Sequence, residues 1–144
     1  MIVVGDTTGI IEAFAKGVES KSCRDVLNDA SLVVVSPLVL AEVDHLAKAR
    51  FGSKARDKVL AFTFDQVDRM RFTVADVANH IKSARRVKDA YCGLDLDMAD
   101  AFTVCLAAEY QTEAILTLDR RDFRALRPLT EEHTHFRLLP DDMA

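Results

Sequence analysis

Cysteine is scarce in this chain, and the arrangement of the few present excludes two common architectures. Cys23, Cys92 and Cys105 are odd in number and show no paired spacing, which argues against a disulfide framework. No histidine stands at ligand spacing from them, so a structural zinc site is not supported either. They read as reduced structural thiols, with Cys105 inside a helix expected to be buried. Long apolar runs are also missing: nothing approaches the roughly 20 residues needed to cross a bilayer. The amino terminus has no basic region followed by an apolar stretch, so a cytoplasmic protein with no membrane association is expected. Positive charge is in short supply too. Nineteen Lys and Arg stand against 23 Asp and Glu, a net charge of −4 that is unlike the usual nucleic-acid binder. Repeats, low-complexity tracts and linkers are absent, and 144 residues with ordinary apolar content make a single domain, 1–144, able to bury a core.

What is present is a series of short apolar runs alternating with helical patterns. Strands are expected at Met1 to Val4, Leu32 to Val35, Ala114 to Leu118 and Phe136 to Leu139. Helices are expected over 37–50, 53–68, 74–90 and about 98–110, with a short break around Arg71 to Thr73. This alternation predicts an α/β fold with a mostly parallel central sheet flanked by helices. Leu60 to Phe64 reads as core rather than as a partner surface.

Four acidic residues fall where a free carboxylate is out of place. Asp6 directly follows the first strand, at the edge where open α/β sheets bind ligands, although it could instead cap a helix starting near Thr7 and Thr8. Ser36-Pro37 is a helix-start signal, and Glu42 in that helix has Leu38 and Val39 one turn before it and Leu46 one turn after. A glutamate on an apolar stripe needs a partner. In Asp97-Met98-Ala99-Asp100, Asp97 is placed as an N-cap, and Asp100 lies in the first turn of the most hydrophobic helix. Asp119 ends the strand run 114–118, where it could alternatively begin an Asx turn. A cluster of carboxylates is held together by a cation, and all-oxygen donors suit Mg²⁺ or Mn²⁺.

The ordered segments Val3-Val4-Gly5-Asp6-Thr7-Thr8, Ser36 to Val43, Leu96 to Ala101 and Leu116 to Phe123 resemble those of PIN-domain ribonucleases, more narrowly the VapC toxins of type II toxin–antitoxin modules. The resemblance spans residue 1 to about residue 140. It implies that Asp6, Glu42, Asp100 and Asp119 form a pocket that binds divalent metal and cuts phosphodiesters, with Asp97 nearby and Asp122 able to take part in place of Asp119. Thr7 and Thr117 match positions where the family places a hydroxyl that orients a carboxylate or a water. It further implies a toxin that cleaves structured RNA (tRNA or rRNA), a cognate VapB-like antitoxin and a homodimer.

Basic residues occur as Lys48, Arg50, Lys54, Arg56 and Lys58, as Lys82, Arg85, Arg86 and Lys88, and as Arg120, Arg121, Arg124 and Arg127. Each group reads first as a solvated face. Arg120, Arg121 and Arg124 are the best placed for RNA phosphates because they follow Asp119. A receiver domain would need a phospho-accepting aspartate after a central strand and a lysine after a late one, and neither appears. A catalytically weak PIN-fold module acting through protein partners would be marked by lost pocket carboxylates, and all four are present.

Overall fold

The computed structural model describes residues 1–143. The four expected runs become strands β1 (Ile2–Gly5), β2 (Leu32–Val35), β4 (Ala114–Leu116) and β5 (Arg137–Leu139). A further strand, β3 (Phe72–Val74), occupies the stretch expected to be only a break between helices. It is too short for an alternation to register, and its pairing with Val33 to Val35 is what makes it a strand. The five strands lie in the order β3-β2-β1-β4-β5, and every neighbouring pair is parallel.

Successive side chains in each strand point to opposite faces, and that period of two divides the core. Val3, Val33, Val35, Leu116 and Leu139 pack on one side with residues of α1 (Thr7–Ala13), α2 (Ser20–Asp29), α3 (Pro37–Phe51) and α4 (Ser53–Asp68). Val4, Val34, Ile115 and Leu138 pack on the other with residues of α5 (Ile81–Ala90), α6 (Met98–Glu109) and α7 (Arg120–Ala125). The result is the expected α/β architecture, with helices covering both faces of the sheet as parallel strands require.

Helix boundaries follow local chemistry. Ser36 Oγ accepts the Val39 N–H at 3.1 Å and Pro37 opens α3. Gly52, at φ +91°, lets the chain turn from α3 into α4. The helix expected over 74–90 is not continuous. Val74 closes β3, the Asp76 carboxylate accepts the Ala78 N–H at 3.0 Å, a 3₁₀ turn covers Ala78–His80, and α5 begins at Ile81. Within Leu60 to Phe64, Phe62 meets Phe14 and Phe72 edge to face at 5.5 and 6.0 Å, whereas Phe64 is half exposed. That stretch is therefore core on one side only. Among the described residues, no helix is long and apolar enough to cross a membrane.

One close approach sets how α1 meets the sheet. A Cβ placed on Gly9 would lie 2.7 Å from the Leu116 carbonyl oxygen, and backbone at the end of a central strand cannot yield as a side-chain tip can. Helix propensity alone favours Gly9→Ala by about 1 kcal/mol. Overpacking costs about 1–3 kcal/mol and should win. We expect Gly9→Ala to lower the urea midpoint with an unchanged m-value, and an unchanged or raised midpoint would mean that α1 can withdraw from Leu116 freely.

Candidate active site

From β1 the sheet order runs through β2 and β3 in one direction and through β4 and β5 in the other. The switch point is thus between β1 and β4, and the crevice outside their carboxyl ends is where such sheets bind ligands. Asp6 and Thr117 are the residues that leave those two ends. The Asp6 N–H donates to the Leu116 carbonyl at 2.9 Å, and the Thr117 N–H donates to the Leu139 carbonyl at 3.0 Å, so both positions are held by extensions of the ladder.

Asp6 is 4 % exposed, and although it stands at the N-cap of α1, its side chain makes no capping bond. Two hydroxyls hold it instead. Thr117 Oγ1 donates to Asp6 Oδ2 at 2.7 Å and Thr8 Oγ1 donates to the same oxygen at 3.1 Å. Each hydroxyl is itself fixed by a backbone donor: Thr8 Oγ1 accepts the Leu118 N–H and Thr117 Oγ1 accepts the Asp119 N–H, both at 2.9 Å. Thr117 therefore fills the orienting position expected of it, while Thr8, which sequence reasoning passed over, takes the place expected for Thr7. The first turn of α1 decides between the two threonines, and that geometry is not written in the spacing. Thr7 Oγ1 is buried without a hydrogen-bond partner of ordinary geometry and faces the Glu42 carboxylate, whose charged form it favours.

The remaining carboxylates arrive from helix starts. Asp97 caps α6, accepting the Asp100 N–H at 2.9 Å, and Asp100 in the first turn is 8 % exposed. Asp119 caps α7, its Oδ1 accepting the Asp122 N–H at 3.3 Å. One carboxylate oxygen from each of Asp100, Asp119 and Asp122 lies within 4.8 Å of the others. Asp119 and Asp122 thus come together rather than standing as alternatives. Glu42 is half buried, but its surroundings correct the expected stripe: the buried line of α3 is Val39, Val43 and Ala47, and Leu46 is 38 % exposed. Glu42 flanks that line on the side facing Asp6 and Asp97.

Crowding shifts the protonation of these groups in one direction. Burial pushes Asp6 up, against hydrogen bonds from Thr117, Thr8 and the Thr7 backbone, and the charge on Asp119 adds to the rise. Burial also raises Glu42, followed by the charges on Asp97 and Asp6. Asp100 is pushed up to about 8 by burial and then by Asp6, Asp97, Asp119 and Asp122. Asp119 rises through burial and its acidic neighbours despite the Asp122 N–H and Arg121.

The chain supplies little positive charge in return. Arg120 donates to Asp141 at 2.5 and 2.9 Å and also pairs with Glu19, while Arg124 holds Asp142 through two bonds of 2.7 Å. These two arginines are therefore engaged elsewhere, and of the expected phosphate contacts only Arg121 stands exposed and without an ion pair among the described residues. None of Asp6, Glu42, Asp97, Asp100, Asp119 or Asp122 pairs with a lysine, arginine or histidine among the described residues. An oxygen-only donor set, crowded and without an internal counter-ion, fits a hard divalent cation such as Mg²⁺ or Mn²⁺.

The shifts fix the sign of a pH dependence. A carboxyl whose folded pKa is raised binds its proton more tightly in the native state, so its stabilising effect is complete below the unfolded value near 4 and is lost as pH climbs through the folded value. For Asp100 that window runs from the ordinary aspartate value of 3.8 to about 8. Asp142, lowered to about 2 by Arg124, acts in the opposite sense and only at pH below its ordinary value. In chelator, the melting temperature should fall between about pH 5 and about pH 8, and Asp100→Asn should flatten the fall and melt higher than the parent at the alkaline end. Parallel profiles for the two proteins would contradict this account of Asp100.

The chain has relatives among known proteins. The PIN domain family matches residues 3–127. Ribonuclease VapC26 of Mycobacterium tuberculosis (strain ATCC 25618 / H37Rv) is 41 % identical over 108 residues, which cover 74 % of this chain and 76 % of that protein. The crystal structure of M. tuberculosis VapC20, described as a sarcin–ricin loop cleaving toxin, superposes with a TM-score of 0.71 at 15 % identity, over 83 % of this chain and 91 % of that one, and shares the fold. By the extent of the family match and the identity to VapC26, the chain belongs to the PIN-domain family and, within it, to the VapC ribonucleases.

Proposed function

We propose that this protein is the toxin of a type II toxin–antitoxin module, an endoribonuclease that hydrolyses phosphodiester bonds in structured RNA with a divalent cation held by Asp6, Glu42, Asp100 and Asp119, joined by Asp122. The observation that carries the reading is the convergence of Asp100, Asp119 and Asp122 beside buried Asp6, at the sheet's switch point, with no basic side chain paired to them among the described residues. Mg²⁺, or Mn²⁺ in its place, supplies a Lewis acid for the scissile phosphate and a lowered pKa for the attacking water.

The chain's own residues do the rest. Thr117 and Thr8 fix the rotation of the Asp6 carboxylate by donating to a single oxygen, and carboxylates so held keep their ligand geometry. Asp97 and Asp119 cap α6 and α7, which keeps Asp100 and Asp122 in first turns that face the crevice. Asp100, still largely protonated near neutral pH, must release its proton to act as a ligand, so cation affinity should rise with pH.

The membership implies partners as well: a VapB-like antitoxin, an RNA such as tRNA or rRNA, and a second copy of the chain in a homodimer. The name of the 41 % identical relative, a VapC ribonuclease, supports the toxin reading. The chemistry of the site calls for no membrane.

Purified protein free of antitoxin, incubated with total RNA in Mg²⁺ or Mn²⁺ and followed by sequencing of new ends, should give discrete cuts that EDTA abolishes. Asp6→Asn should slow them on the order of a hundredfold or more while remaining folded by circular dichroism. Intact RNA from a folded, cation-binding protein would instead favour a catalytically weak module that works through protein partners.

A further inference from the structure

The cations of α5, of α7 and of the segment after α7 sort into engaged and free. Arg85 pairs with Asp89 at 4.0 Å, Lys88 donates to the Leu96 carbonyl, and Arg120 and Arg124 are held by acidic residues as described above. Arg86 and Arg127 have no carboxylate partner among the described residues, and the only polar side-chain contact of Arg86 is a 3.4 Å bond to Ser83 Oγ. These two arginines flank one cavity of about 390 Å³ whose walls include Val87, Tyr91, Pro128 and Leu129. Leu129 is 50 % exposed and lines this cavity together with the two arginines.

Its position relates it to the acid cluster. Arg127 follows Asp122 by five residues, so their Cα atoms are at most about 17 Å apart, and Tyr91 precedes Asp97 by six, a limit of about 21 Å. The Arg127 N–H donates to Tyr91 Oη at 3.1 Å, which ties the two sides of the cavity together and leaves the tyrosine ring as part of its wall. An apolar, partly aromatic slot with cations at its rim matches an unstacked nucleotide: the base has a π-face and apolar edges to bury, and the phosphate meets arginine.

We propose that this slot is an RNA subsite that holds an unpaired nucleotide of the loop being cut, with the base against Tyr91, Val87 and Leu129 and its phosphate bound by Arg86 and Arg127. The proposal rests on the ribonuclease reading above and adds the residues by which a looped strand is gripped. Specific RNA recognition acts on splayed loop bases, so a slot within reach of the same loop contributes to the choice of loop as well as to affinity.

The test uses the full chain carrying Asp6→Asn, in Mg²⁺, and a fluorescein-labelled RNA hairpin with an unpaired loop of mixed sequence. Arg86→Gln and Arg127→Gln should each weaken binding about three- to tenfold and reduce the dependence of log Kd on log salt by about 0.7, the increment for one phosphate contact on a single strand. Leu129→Asp, at a half-exposed position that tolerates a charge, should weaken binding at least as much while leaving both arginines in place. Arg69→Gln, just after α4 on the other face of the sheet, should change nothing. Parental affinity and salt slope in the Arg86, Arg127 and Leu129 variants, with hairpin binding by the parent intact, would overturn the subsite and leave the ribonuclease reading standing. Failure of the parent to bind the hairpin, together with intact total RNA, would overturn both. Unchanged RNA binding with loss of a co-expressed protein partner would reassign the slot to that partner.

Discussion

The fold is organised around a repulsion that it does not relieve by itself. Asp6 and Thr117 leave adjacent parallel strands at the one edge where the strand order diverges, and α6 and α7 start at the same edge, so four further carboxyl groups are delivered beside Asp6, of which Asp100 is buried with it, Asp119 and Asp122 are partly buried and Asp97 is exposed. Buried like charges are costly, and the rise of Asp100 to about 8 records that cost. The cost is carried by two packed layers of aliphatic side chains on either face of the sheet, which hold the ends of β1 and β4 in register whatever the protonation of the residues beyond them. Asp97 and Asp119 offset a little of it by serving as helix caps, where the unsatisfied N–H groups and the dipole favour negative charge. An arrangement that holds unfavourable charge in fixed positions is suited to bind a cation and poor at stabilising an empty fold.

A six-residue helix would be a weak platform for two of these carboxylates without support from outside itself. That support comes from the segment after β5. Arg120 and Arg124 reach Asp141 and Asp142, and Asp142 Oδ2 also accepts the Leu138 N–H at 2.8 Å, so the acceptor is tied to the sheet rather than swinging freely. Exposed ion pairs contribute little as a rule, and these are partly exposed. Two-pronged geometry and a shared anchor are the circumstances in which such pairs do fix position. Arg120 and Arg124, which follow Asp119 in sequence and therefore suggest phosphate contacts, are on this account fasteners for α7.

Much of this was legible in the chain. Runs such as Val33-Val34-Val35 announce buried strands through composition alone, Ser36-Pro37 announces a helix start, and aspartates at strand ends announce a site. What was hidden depends on contacts between distant segments. β3 is a strand because Val33 to Val35 lie beside it, not because Phe72-Thr73-Val74 has a pattern of its own. The pairing of β1 with β4 spans more than a hundred residues, and only that pairing brings Thr117 onto Asp6. Thr7 and Thr8 are equivalent in a spacing argument, but successive residues of a helix point about 100° apart, which leaves Thr8 on Asp6 and Thr7 toward Glu42. Glu42 was identified for a stripe that includes Leu46, yet Leu46 is exposed and the glutamate owes its raised pKa to burial and to Asp97 and Asp6 across the crevice.

The acidic balance of the chain, awkward for a protein that would act on a polyanion, becomes intelligible once charges are placed. A net charge of −4 is a sum over the whole surface, whereas binding responds to local fields. On the proposed reading, RNA approaching the crevice before a cation is bound meets at least Asp119 and Asp122, with Arg121 offsetting part of their charge, and repulsion opposes it. With a divalent ion in place the sign at the crevice moves toward neutral or positive, and the free cations on its flank can act. Cation and RNA then assist one another's binding, and linkage requires the effect to be reciprocal: RNA phosphate in the crevice tightens the ion as much as the ion tightens the RNA. On the same reading, a partner that sets a basic side chain among these carboxylates would neutralise them and occupy the place of the ion that RNA needs.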